Sequence, residues 1–216
     1  MSTRAARWLA WSLMVLSVVL FVGGIALALM TRSSAPGRPY YDSVDAVFTL
    51  TSVLTFSVVG ALIASRQPRN AIGWIFCGIG LLVGINSLAG GYAVYSLAGG
   101  SFPGSLAETA AWFSSWSWSL LLYVPTSFLL LLFPDGRLPS PRWRPVIWCA
   151  AIGLIGFVAG YALEAGPLDD FPRITNPYGV DSPILEAVGS RAPSWLQLPW
   201  WPQPSRSSSG CARRGG

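Results

Sequence analysis

Residues 129–146, LLLLFPDGRLPSPRWRPV, constrain this chain more than any other stretch. An apolar wall ends at Phe133. A short loop with Asp135, Gly136 and three arginines (Arg137, Arg142, Arg144) follows, and from Pro145 the chain turns apolar again. Such an edge marks a chain that leaves a bilayer, turns and re-enters it. Composition agrees: 11% of the residues are charged and 52% hydrophobic, against about 25% charged in an ordinary soluble domain. So little charge cannot cover a water-facing surface. The expected class is all-α, a polytopic integral membrane helical bundle.

Crossing the hydrocarbon core takes about 20 mostly apolar residues. Five runs meet that length, at about 8–30, 44–64, 71–91, 112–133 and 145–163. They are apolar all round, the pattern of membrane helices, with none of the one-sided stripe of a surface helix. The first could pass for a signal peptide, with Arg4 and Arg7 ahead of it and Ala26-Leu27-Ala28 as a cleavage site. It is longer than the usual h-region, however, and a retained anchor is expected. Residues 1–190 then form one membrane-embedded domain, with 164–190 as an extracytoplasmic segment after the fifth span.

Arginines set the orientation. With the N-terminus inside, Arg4, Arg7, Arg66, Arg69, Arg137, Arg142 and Arg144 lie on the cytoplasmic side, and only Arg32 and Arg38 fall in the opposite loops up to the fifth span. Seven against two satisfies the positive-inside rule. The location expected is the cell membrane, multi-pass, with a cytoplasmic N-terminus. Trp112, Trp116 and Trp118 crowd the outer end of the fourth span, with Tyr92 and Tyr95 beyond the third; an aromatic belt at headgroup level is expected there rather than a ligand cage.

Much chemistry is excluded by residue type. The chain has no histidine and no lysine, so it offers no histidine ligand, phospho-accepting histidine, Schiff-base lysine or hydrolytic triad. Cys77 and Cys149 sit in apolar runs, Cys211 lies near the C-terminus, and no metal-binding spacing occurs. No cofactor, metal or nucleic-acid partner is expected, and the chain reads as a non-enzyme. Asp42 and Asp45, at i and i+3, share a face at the mouth of the second span, where acids suit a helix N-terminus. No carboxylate stands at the centre of a span, which argues against an ion-coupled transporter. Gly80/Gly84 and Gly156/Gly160 have the spacing that permits close helix approach. Asn86 should bond a neighbouring helix, and Pro125 should kink the fourth span.

The loop itself reads as a rigid hairpin: Pro134 and Gly136 suit a turn, Asp135 can accept from nearby amides, Pro141 stiffens the rest and Pro145 suits a helix start. From 191 the chain changes character to RAPSWLQLPWWPQPSRSSSGCARRGG. This tail is either disordered or the product of a shifted reading frame. Read two bases along with G or C at wobble positions, it becomes an apolar run of bilayer length ending in arginines.

Three blocks carry a resemblance: Asn70-Ala71-Ile72-Gly73-Trp74, residues 132–146 (LFPDGRLPSPRWRPV), and Gly166-Pro167-Leu168 through Asn176-Pro177-Tyr178-Gly179. Together they resemble the membrane-embedded N-terminal sensor region of two-component sensor histidine kinases from high-GC bacteria. The signature loop comprises Pro134, Asp135, Gly136, Arg137, Pro141, Arg142, Trp143, Arg144 and Pro145. Ala71 stands where that family usually has proline, which implies a less rigid turn before the third span. The family would continue with another span, a linker, a helix pair carrying the phospho-accepting histidine, and an ATP-binding domain. The resemblance therefore implies a sensor or signal-relay region, truncated or frame-disrupted, without kinase activity. Its partners would be the lipid bilayer and a second copy or a separate kinase module. The alternative is a small membrane transporter or channel component, which predicts inverted repeats and polar groups at mid-membrane.

Overall fold

The computed structural model describes residues 3–31, 43–98, 104–132 and 140–181. Within them the chain forms α1 (Thr3–Met30), α2 (Ser43–Arg66), α3 (Ala71–Ala98), α4 (Ser105–Ser117), α5 (Ser119–Val124), a π-helical segment (Pro125–Leu129), α6 (Leu130–Leu132), a 3-10 turn (Pro141–Trp143) and α7 (Arg144–Ala162). Among the described residues there is no strand. The signature residues Pro134, Asp135, Gly136 and Arg137, and the tail 191–216, lie outside the described residues, as does Asp42.

Among the described residues four helices are long and apolar enough to cross a membrane: Arg4–Met30, Asp45–Arg66, Ala71–Leu97 and Pro141–Ala162. They cover four of the five expected spans. The continuous span expected over 112–133 is not found. Helix begins at Ser105 and is interrupted at Trp118 and again over Pro125–Leu129. Both breaks have local causes. The hydroxyls of Ser114, Ser115 and Ser119 donate back to the carbonyls of Ala111, Trp112 and Trp116, three residues earlier, and the Trp118 indole donates to Ser115 O at 2.9 Å. Such bonds compete with the helix ladder. Pro125 has no N–H to give, and the ladder widens into a π segment there. Instead of a simple kink, the proline sits at the head of a wider-register segment.

Contacts fix the directions. Ser17 stands opposite Gly84 and Gly24 opposite Gly91, a constant offset, so α1 and α3 run parallel. Gly60 lies against Cys77, Ser57 against Gly80 and Ala64 against Gly73, so α2 is antiparallel to α3. Asn86 meets Ser114 and Ser117 while Ala93 joins Ala111, so α4 descends beside α3. Trp112 bonds Ala162 and Tyr123 packs on Phe157, so α7 rises beside α4 and α5. The chain thus winds up and down, and α3 is the hub.

The hub has a sequence cause that the pairs at Gly80/Gly84 and Gly156/Gly160 only hint at. Gly73, Cys77, Gly80, Gly84, Ser87 and Gly91 follow in alternating steps of four and three, one continuous stripe of small residues along α3. The lower half of the stripe meets α2 and the upper half meets α1, so Gly80 and Gly84 serve different neighbours. A methyl group added at Gly84 would stand 2.6 Å from Ser17 O; one at Gly91 would collide with Gly24 O, and one at Gly24 with Ser87 O. Each glycine therefore aims a Cα–H at a carbonyl across the interface, a weak hydrogen bond that only a bare backbone can make. Gly156 meets nothing within 4 Å, so it makes no such contact.

Candidate functional site

Two ends of the bundle differ in kind. One holds the start of α1, the α2–α3 turn and the start of α7. Here lie Arg4, Arg7, Arg66, Arg69, Arg142 and Arg144, and among the described residues no acid. The other holds Asp45, Glu108, Glu164, Asp169, Asp170 and Asp181, with Arg173 as its one described base. The folded chain sorts its charge by end.

At the arginine end, the first resemblance block closes the α2–α3 turn. Pro68 stops α2 from continuing. Asn70 Oδ1 accepts from Ile72 N at 2.9 Å and so caps α3, Asn70 Nδ2 donates to Gln67 Oε1 at 3.1 Å, and Trp74 Nε1 donates to Pro68 O at 3.0 Å. These bonds tie the turn ahead of Ala71, the first residue of α3. Of the signature loop, Pro141, Arg142 and Trp143 form the 3-10 turn, closed by Trp143 N to Ser140 O at 3.1 Å, and Arg144 and Pro145 open α7. Proline at the first turn forfeits no helix bond. All five side chains are exposed, and nothing brings them to a pocket.

At the acidic end, residues 164–181 fold back as a cap over α3, α4 and α7. Leu168, Phe171 and Ile174 turn inward onto Ala93 and Ala111, with Val94, Leu97 and Trp112 around them. Asn176 holds the cap together. Its Nδ2 donates to Ala162 O at 2.9 Å and Glu164 O at 2.8 Å, its Oδ1 accepts from Tyr178 N at 2.9 Å, and its backbone N donates to Gly166 O at 2.8 Å. Gly166, at φ 128°, adopts a backbone that L side chains rarely take. The Asn176-Pro177-Tyr178-Gly179 block is therefore a latch, and in the sequence its one signal is an Asn-Pro-x-Gly shortly after the end of a span.

Trp112 ties this latch to the helices. Its indole donates to Ala162 O at 2.6 Å, and its ring lies 4.6 Å from that of Tyr178 and 5.5 Å from that of Trp116. It belongs to a built cluster joining α4, α7 and the cap, whereas Trp118, 47% exposed, follows Ser117 at the level of Asn86, midway along α3 and away from the outer end where the belt is expected. Tyr178 also meets Thr109 at 3.1 Å. Asn86 bonds Ser114 O at 2.9 Å and Ser117 Oγ at 2.8 Å, the interhelical role expected of it.

The cap carries one titratable group of interest. Tyr161 OH donates to Asp169 Oδ2 at 2.7 Å, which fixes that carboxylate. Beside it, the Asp170 carboxyl is pushed up to about 6, first by desolvation and then by the charges of Asp169 and Asp45. The side chain is exposed, so solvent screens it and the effect on stability is modest, with the following sign. A carboxyl whose folded value lies above its unfolded one binds more protons when folded, so folding weakens as pH rises from about 4 to about 6. We expect the cap to be more protease-resistant at pH 4 than at pH 7, and Asp170→Asn to flatten that difference and tighten the cap at pH 7. An unchanged pH profile in the variant would assign the effect elsewhere.

Among the described residues no group of three or more Cys, Asp or Glu side chains could hold a metal ion. A scan against family models and searches of curated proteins and of solved structures find no match to this chain.

Proposed function

We propose that this chain is a membrane sensor or signal-relay region: the cap receives a stimulus outside the cell, and the broken α4–α6 rod carries the change to the signature loop inside. In this reading the rod is a fifth crossing beside the four unbroken helices, the N-terminus is cytoplasmic, and the chain performs no catalysis itself. Output would pass to a second copy or to a separate kinase module, as the resemblance to sensor histidine kinases implies.

One observation carries the proposal. Trp112, near the head of the interrupted rod, shares the Ala162 carbonyl with the latch residue Asn176. A shift of the cap must move α4 relative to α7. The two breaks below, at Trp118 and Pro125–Leu129, are places where such a shift can be absorbed or redirected. The sorting of arginines to the opposite end supports the orientation. The mid-bundle polar group Asn86 is already satisfied by Ser114 and Ser117, which favours a relay over the channel alternative.

Maleimide labelling tests the coupling. A single cysteine replaces Ser140, with Cys77, Cys149 and Cys211 changed to serine. Trp112→Phe keeps the ring and removes the N–H bond to Ala162. The expected result is a change of about fivefold or more in labelling rate at position 140, the low end of typical coupling. An unchanged rate in a folded variant would remove the relay reading.

A further inference from the structure

We propose that the arginine end of α1–α3 is a docking surface for the phosphate groups of anionic phospholipids. The inference needs the bundle to be embedded in lipid, and it stands whether or not the chain relays a signal. Four side chains build the surface: Arg4 and Arg7 on the first turns of α1, Arg66 at the end of α2, and Arg69 in the turn to α3. Their level is fixed by the packing beneath. Ala10 and Ala64 share one buried cluster with Ala61 and Cys77. Arg7 lies three residues before Ala10 and Arg66 two residues beyond Ala64, so at 1.5 Å per residue both leave the bundle within about 5 Å of that layer. They emerge at one level from adjoining helices.

All four guanidinium groups are exposed, and none has an ion pair or hydrogen bond to a described residue. The described acids stand at the other end of the bundle. Positive charge from three adjoining helix ends, with no acid among the described residues at that end, calls for an anion. Exposed Trp8, 73% accessible, and Trp11 stand on the same end of α1 and place the surface at headgroup level. Guanidinium matches phosphate in shape, donating two parallel hydrogen bonds where an ammonium gives a point contact. A lipid phosphate meets both demands at once, because its acyl chains lie along the exposed apolar sides of α1 and α2. Leu9, Val15 and Leu16 on α1 and Leu62 on α2 are examples of those sides near the arginine end.

Thermal unfolding in lipid nanodiscs tests the proposal. Both leaflets of a nanodisc have one composition, so a role of the arginines in setting topology cannot move the readout. Wild-type chain in a phosphatidylglycerol–phosphatidylcholine mixture should melt roughly 3 °C or more above the same chain in phosphatidylcholine alone, and added salt should shrink the gap. The set Arg4→Gln, Arg7→Gln, Arg66→Gln and Arg69→Gln should abolish the gap, and the corresponding lysine set should restore part of it. Native mass spectrometry of wild type should show phosphatidylglycerol retained, a result independent of how the variants fold. Equal melting in the two lipids, with no retained anionic lipid, overturns the proposal. Equal stabilisation by inorganic phosphate in phosphatidylcholine discs would overturn the lipid as source.

Discussion

Replacing Gly91 by valine is expected to drive α1 off α3 and to destabilise the fold by about 3 kcal/mol, the upper part of the range for overpacking. The position leaves no room. A β-carbon there would collide with Gly24 O, and backbone cannot swing aside as a side chain can. Nor can hydrophobic burial compensate, since lipid is as apolar as the interface and helix association rests on close packing and weak polar contacts. Gly84→Val should behave alike, because its β-carbon would stand 2.6 Å from Ser17 O. Gly153→Ala should be neutral, with nothing within 4 Å. Thermal unfolding in detergent gives the comparison. A Gly91→Val chain as stable as Gly153→Ala would mean that α1 does not pack on the small-residue stripe.

Asn176→Ala should release the cap while leaving the helices in place. The side chain is 8% exposed, and its loss takes the acceptor from the Tyr178 N–H and one donor each from Ala162 O and Glu164 O. Unsatisfied groups of this kind cost about 1–3 kcal/mol each, so the cap should lose on the order of 3 kcal/mol. Limited proteolysis should then cut within residues 164–181 much faster than in wild type, with the helical circular dichroism signal retained. Asn176→Asp keeps an acceptor for Tyr178 N but sets a buried carboxylate oxygen against the Ala162 and Glu164 carbonyls, and at neutral pH should release the cap at least as far. Protease resistance equal to wild type would show that the apolar contacts of Leu168, Phe171 and Ile174 hold the cap unaided.

The parts of this architecture that the sequence foretold are those governed by long-range averages. Apolar length placed α1, α2, α3 and α7 to within a few residues at most ends, and Asn86 found the interhelical partners expected of a lone amide in an apolar helix. The α4–α6 rod departs from the span expected over 112–133 because hydropathy is blind to hydrogen-bond competition. Ser114, Ser115 and Ser119 hardly alter apolar length, yet they and Pro125 divide the helix. The cap escaped for another reason. Its fold depends on one side chain, Asn176, closing on carbonyls 12 and 14 residues earlier, and no periodicity announces such a bond. The small-residue stripe of α3 was legible as a spacing but not as a choice of partner. Only the three-dimensional path shows that its halves meet different helices.

The central claim is a bundle that crosses a bilayer with its arginines inside and its cap outside. Reporter fusions after Ser65, Gly104 and Ser140 test it most directly. Cytoplasmic activity from the Ser65 and Ser140 fusions with an extracytoplasmic signal from Gly104 is the predicted pattern; an extracytoplasmic signal from the Ser140 fusion would contradict the account.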